Sequence, residues 1–232
     1  MIYYNGKSLA DFGLKVDHSR SYTSPERSTA KVQVPGRNGD IIIDDGSYNN
    51  VTLKYKCAIM AGFKKRYEEM LNFLYKDSAY HRLEDTTHPD FYRVAAINAA
   101  PEYETTGNHR SGNFTLSFDC KPQKFLKSGE RKKILTSAGS LRNPTAYKAK
   151  PIITVKGSGA VTLTVGAYNV AIANLTSAIT IDCEQQDCYW NGTNLNNGVT
   201  LDDFPVLLPG TNSVSWSGSV TSVEIIPHFW EL

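Results

Sequence analysis

The chain has 232 residues, 41% hydrophobic and 21% charged, with 25 Lys+Arg against 23 Asp+Glu for a formal net charge of +2. These values sit near globular averages and exclude a disordered or collagen-like chain, and no apolar run reaches the roughly 18–20 residues of a bilayer-spanning helix. The opening Met1-Ile2-Tyr3-Tyr4-Asn5-Gly6 lacks the basic and apolar stretches of a signal peptide, so a soluble protein made in a cytoplasm is expected. Charge is unevenly spread: residues 1–142 hold 22 Lys+Arg and 16 Asp+Glu, whereas residues 143–232 hold 3 and 7. A basic and an acidic half suggest two domains in different surroundings. The basic excess reads as solvated lysines rather than a nucleic-acid face.

The turn residues Gly36-Arg37-Asn38-Gly39-Asp40 and Asp45-Gly46 are able to take positive φ, and between them Ile41-Ile42-Ile43 predicts a short strand. Next, Val51, Leu53, Tyr55, Cys57 and Ile59 alternate with Thr52, Lys54, Lys56 and Ala58, the pattern of a half-buried strand with one wet face. The period then changes. Phe63, Tyr67, Met70, Leu71 and Leu74 lie on one helical stripe, which predicts an amphipathic helix over 62–76 packed on the sheet. Phe114, Leu116, Phe118 and Cys120 restore the period of two, and Lys121-Pro122 ends that strand because proline cannot donate to a ladder.

Residues 126–150 mix Lys127, Arg131, Lys132 and Lys133 with Ser128, Gly129 and Gly139, and read as a connector between domains at 1–125 and 151–232. Beyond Pro151 nothing looks helical. Short β stretches at 152–155, 161–165, 170–172, 179–183, 199–201, 214–216 and 223–226, separated by turns, predict a β-sandwich. The expected fold class is mainly β: an N-terminal antiparallel β-barrel or sandwich with one packed helix, followed by a C-terminal sandwich.

Catalytic signatures are missing. There is no Gly-rich phosphate loop, no Gly-x-Ser-x-Gly and no His-Glu-x-x-His. His81 and His88, near Asp85 and Asp90, fall in a segment without helical register and read as polar loop histidines rather than metal ligands. Asp44-Asp45 and Asp202-Asp203 are adjacent pairs, and neighbours on a strand point to opposite faces, so neither pair makes an acid–base site alone. Cys57 and Cys120 fall on apolar phases of strands. Cys183 and Cys188 are close enough to bridge a hairpin, with two reduced thiols as the default reading. The expectation is a non-enzyme with no cofactor and no metal. Trp216, on the apolar phase of its strand, is expected in the core. Tyr189 and Trp190, beside Asn191-Gly192, are the candidates for sugar stacking if the sandwich binds carbohydrate.

Taken in order, the short signatures resemble the distal tail proteins of long-tailed, non-contractile bacteriophages and prophages of Gram-positive hosts. They begin with Tyr4-Asn5-Gly6 and Phe12-Gly13-Leu14, then Val34-Pro35-Gly36-Arg37-Asn38-Gly39-Asp40 and Gly46-Ser47-Tyr48. After the helix come Tyr80-His81-Arg82-Leu83-Glu84-Asp85, Phe91-Tyr92-Arg93 and the strand at 114–120 with Pro122. The second half adds Asn143-Pro144-Thr145, Lys150-Pro151-Ile152, Phe204-Pro205-Val206-Leu207-Leu208-Pro209-Gly210 and Ile225-Ile226-Pro227-His228-Phe229-Trp230.

This resemblance implies a galectin-like C-terminal sandwich and a hexameric ring at the virion's tail tip, synthesised in the host cytoplasm. The ring joins the tail tube protein to the tail-associated hub or lysin protein. In many relatives it also anchors receptor-binding proteins. DNA transits the lumen without specific binding, and no membrane is involved. Ring closure needs side-to-side contacts, and the hairpin at 36–48 supplies the interface candidates: Pro35, Gly36, Arg37, Asn38, Gly39 and Tyr48. The competing expectation is a carbohydrate-binding or adhesion protein acting through the C-terminal sandwich.

Overall fold

The computed structural model describes residues 1–17, 22–97, 99–106 and 109–232. These divide into two compact units, Met1–Lys124 with Leu232, and Phe125–Glu231. The fold is mainly β, and none of the helices among the described residues is long and apolar enough to cross a membrane.

In the first unit, strands β1 (Ile2–Tyr4), β2 (Lys7–Ser8), β3 (Leu14–Val16), β4 (Arg27–Val32), β5 (Ile41–Tyr48) and β6 (Val51–Ile59) precede helix α1 (Phe63–Leu74). Strands β7 (His81–Asp85), β8 (Phe91–Ala96), β9 (Tyr103–Thr105) and β10 (Gly112–Leu126) follow it. The main sheet runs β2-β1-β7-β8-β10-β6-β3, with β9 also on β10. Its centre is the antiparallel β6–β10 pair, whose register sets Cys57 opposite Phe114, Tyr55 opposite Leu116 and Leu53 opposite Phe118. All six side chains are buried, so the period of two in the sequence marks the core face.

Helix α1 covers that face with Phe63, Tyr67, Met70 and Leu74, all buried, while Leu71 packs at the margin. The helix is shorter than the expected 62–76. Gly62, at φ 63° just before it, sets its start. Phe63 and Tyr67 stack at 5.1 Å, and Tyr67 meets Phe114 edge-on at 5.1 Å. Gly112 leaves room for this cluster: a Cβ there would come within 2.6 Å of the Phe63 ring.

β4 and β5 stand apart as a separate two-stranded sheet. The expected short strand at 41–43 extends to Tyr48, and its partner β4 has no apolar alternation to announce it. His81 is also placed differently from expectation. It lies in β7, opposite Ala95, and not in a loop, with Nε2 2.6 Å from Asp77 Oδ1. Only one β7 side chain, Leu83, is buried, which is why alternation there was too weak to read.

The second unit holds β11 (Lys133–Leu135), β12 (Gly139–Asn143), β13 (Ile152–Val165), β14 (Tyr168–Leu175), β15 (Ala178–Asp182), β16 (Asp187–Trp190), β17 (Thr193–Asn194), β18 (Val199–Leu201) and β19 (Gly210–Ile226). The stretch 126–150, expected as a connector, instead contributes β11 and β12, both antiparallel to β19. Its basic, serine-rich composition hid strands that bury little more than Leu141 and Asn143.

The long strands β13 and β19 pair along most of their length and are interrupted midway by bulges. On one side of the bulges, β13 residues 152–156 pair with β15; on the other, residues 161–165 pair with β14. One buried cluster takes Ile153, Val155 and Ile181 from the first half and Leu163, Val170 and Val214 from the second. The bulge is made of small residues by necessity. A Cβ on Gly157 would strike the Ser219 carbonyl, and one on Gly218, at φ 92°, would strike the Ala160 carbonyl. Strands that bend at such points can serve both layers of a sandwich. Trp216 is half-buried at the edge of this core rather than enclosed in it.

Candidate functional site

The β4–β5 hairpin carries all six expected interface residues but does not bring them together: five lie at its tip and Tyr48 at the opposite end. Pro35 and Gly36 (φ 80°) form the centre of a turn closed by the Arg37 amide donating to the Val34 carbonyl at 3.1 Å. Proline followed by a positive-φ glycine is the arrangement a type II turn demands. Arg37, Asn38 and Gly39 continue the exposed tip, and Tyr48 lies half-buried at the hairpin's far end.

That far end is knitted by polar contacts. Arg27 pairs with Asp44 and donates to the Tyr48 hydroxyl at 3.1 Å. Asp44 accepts the Gly46 amide at 2.8 Å, and Asp45 accepts the Ser47 amide at 2.8 Å and its hydroxyl at 2.7 Å. These backbone bonds hold both carboxyls below the ordinary carboxylate range.

Nearer the tip the chemistry inverts. Ala30 faces Ile43 and Val32 faces Ile41, giving one apolar face, while Ile42 sits opposite Lys31 on the other. Exposure reaches 63% at Ile42 and 55% at Ile43. Sequence reasoning placed Ile41-Ile42-Ile43 on a strand but missed their exposure. The available signal was the run itself: three consecutive apolar residues on a strand cannot all face one core. A two-stranded hairpin with both edges open is marginal in water on its own, and open edges favour pairing with another chain.

The sugar-stacking candidates are not brought into one platform. Tyr189 and Trp190 are consecutive on β16, so they point to opposite faces, and both are half-buried. Trp190 pairs with Thr193 across Asn191 (φ 47°) and Gly192 (φ 79°), a two-residue turn with both central residues left-handed.

Other titratable groups are spoken for by packing. Burial raises the Cys120 thiol to about 12 and Cys188 to about 11, and raises Cys183 further. All four cysteines are buried as free thiols. His88 meets Tyr22 edge-on at 4.7 Å. Among the described residues no group of three or more His, Cys, Asp or Glu could hold a metal ion.

One cavity in the first unit, of about 130 Å³, was not foreseen from the sequence. Tyr22, Tyr55, Phe91, Arg93, Lys124 and Leu232 are among its lining residues. The Arg93 guanidinium donates from Nη1 to the Pro122 carbonyl at 3.3 Å.

Residues 5–120 match a family profile described as a phage tail protein RIFT-related domain. No curated protein sequence gives a significant match. Among solved structures, the chain is similar to the Dit protein (gp 19.1) of phage SPP1, at a TM-score of 0.77 and 15% identity, over 100% of this chain and 98% of that one. That structure is described as a paradigm of the hub adsorption apparatus in phages infecting Gram-positive bacteria. Two structures of the phage p2 baseplate in its activated conformation, with Sr and with Ca, align at a TM-score of 0.49, with 11% and 10% identity, over 93% of this chain and 91% of theirs. The SPP1 likeness shows a shared fold across both units, and with the profile spanning half of the sequence, the chain belongs to the phage tail protein family.

Proposed function

We propose that the chain is a distal tail protein, the hub of a siphophage baseplate. Six copies close into a ring, with the first unit as the wall and the second, a galectin-like sandwich, projecting outward. The ring joins the tail tube protein to the tail-associated hub or lysin protein, anchors receptor-binding proteins, and lets DNA through its lumen without specific binding. The protein is made in the host cytoplasm and works at the tail tip of the virion. It catalyses no reaction.

The observation that carries this reading is the β4–β5 hairpin. It presents an apolar strip and two strand edges that nothing else among the described residues covers. A ring formed by rotation needs such a patch on one copy meeting a different surface on the next. The shared fold with SPP1 Dit supports the assignment from a second direction. Native mass spectrometry and negative-stain imaging test it: hexameric rings support the hub, and a protein that stays monomeric both alone and with its tail partners refutes it. Passive DNA transit further requires that the exposed Lys54 and Lys56 of β6 stay off the channel wall, because a basic lining would retain DNA. A cryo-EM map of the ring decides that point.

Carbohydrate binding by the second unit is the alternative, favoured by the half-exposed Trp190 beside its turn. Saturable sugar binding lost in Trp190→Ala would support it.

A further inference from the structure

We propose that Asn38 is a site of spontaneous covalent modification, where the side chain closes on the Gly39 amide as a succinimide that opens to aspartate and isoaspartate. The chemistry needs only the hairpin of a single chain and stands whether or not the ring closes.

Asparagine followed by glycine is prone to this cyclisation because no side chain crowds the attacking amide nitrogen. The sequence has four such steps, Asn5-Gly6, Asn38-Gly39, Asn191-Gly192 and Asn197-Gly198. All eight residues are exposed, so access to water does not separate them. The backbone does. Attack requires the peptide plane after the asparagine to turn toward its own side chain, a sparsely allowed conformation that a fixed backbone cannot reach.

Three of the four steps are held. Asn5 (φ 48°) and Gly6 (φ 76°) are both left-handed in the two-residue turn between β1 and β2, closed by the Tyr4–Lys7 pair. The Asn5 amide also donates to the Arg82 carbonyl at 2.9 Å. Asn191 and Gly192 form the same kind of turn between β16 and β17, closed by the Trp190–Thr193 and Tyr189–Asn194 pairs. At Asn197 the nucleophile itself is engaged, since the Gly198 amide donates to the Leu195 carbonyl at 3.0 Å.

Among the described residues, nothing restrains Asn38 in this way. The β4–β5 ladder ends at Val32 and Ile41, leaving residues 33–40 as its loop. The bond from the Arg37 amide to the Val34 carbonyl closes the first part of that loop and stops one residue short of Asn38. Neither the Asn38 side chain nor the Gly39 amide has a hydrogen-bond partner among the described residues.

Base removes the Gly39 amide proton, and the nitrogen attacks Asn38 Cγ. The N–Cγ bond forms as the Cγ–Nδ2 bond breaks, and Nδ2 leaves with a proton as ammonia. Water then opens the ring at Cγ to give aspartate, or at the main-chain carbonyl to give isoaspartate, whose chain runs through Cγ. The sum is amide plus water to acid plus ammonia, with no redox change. Either product sets a negative charge beside Arg37, and isoaspartate lengthens the hairpin tip by a methylene.

The test incubates the full chain in mildly alkaline buffer over days. Peptide mass spectrometry, with fragmentation that separates aspartate from isoaspartate, follows each step. In the folded protein Asn38 should convert about tenfold or more faster than Asn5, Asn191 or Asn197, since each of those must first open its backbone. In the urea-unfolded chain the four rates should converge. Asn38→Gln, whose longer side chain closes the ring poorly, should remove the early mass gain and leave the melting point in place. Asn38 reacting no faster than the other three when folded, or the same ranking in the unfolded chain, overturns the proposal.

Discussion

Replacing Ile41 and Ile43 together by threonine separates an assembly role for the hairpin from a structural one. The two side chains share a face and are 37% and 55% exposed in the free chain. Complete burial of an isoleucine contributes about 1.5–3 kcal/mol, so covering these exposed fractions contributes about 1.5–2.5 kcal/mol per interface. That corresponds to about tenfold to seventyfold in each association constant, and the methyl that threonine retains trims it. Threonine keeps the β-branch that suits a strand, so the hairpin itself is preserved. Because neither isoleucine packs into the core of its own chain, the variant should unfold within about 0.5 kcal/mol of the parent. Native mass spectrometry across a dilution series, with thermal melts in parallel, reads both quantities. A variant that forms rings at the same concentrations as the parent, or whose melting point falls with its assembly, would rule out a purely intersubunit role for these two side chains.

Gly157→Ala should destabilise the second unit by about 1–3 kcal/mol in urea unfolding, because the new Cβ meets the Ser219 backbone and not a movable side chain. Gly218→Ala adds a left-handed backbone penalty and should be worse. Leu116→Ala, at a fully buried site of the first unit, should cost about 2–5 kcal/mol by the same measurement. Glu224 accepts Lys132 Nζ at 2.6 Å and Lys156 Nζ at 2.5 Å, and these bonds hold its carboxyl below the ordinary 4.5. A depressed carboxyl pKa stabilises the folded state above the ordinary value and loses that effect as pH falls through the folded one. Melting temperatures between pH 6 and 3 should therefore fall less steeply in Glu224→Gln than in the parent. The native protein should leave its four thiols unlabelled by a water-soluble disulfide reagent until it unfolds.

The two halves of the fold were legible to different depths. Where one face of a long element is buried, as in β6, β10 and α1, the apolar period reports the core directly. β4 was silent because it buries nothing in its own chain, so its sequence carries no alternation. β11 and β12 were silent because they lie at the margin of a core set by β19, some 70 or more residues later. The hairpin residues were put forward through turn chemistry and family likeness, and not through the exposed isoleucines beside them. The Arg93 cavity could not have been read from the chain, since it depends on residues from separate segments meeting in space. Tyr189 and Trp190 were named together as stacking candidates, and on β16 they lie on opposite sides, so each would have to stack alone.

The position of β19 has a consequence for biosynthesis. It is the shared partner of β11, β12 and β13, yet it is the last long strand to leave the ribosome. Residues 133–165 must wait, unpaired along that side, while the intervening hairpins are made. Pairings of this sequence separation are slow to form and leave strand edges available to neighbouring nascent chains. Where many copies are made at once, the yield of competent protein should be limited by how quickly residues 210–226 reach β13, and a ribosome stalled before that point releases a chain whose second unit has no centre.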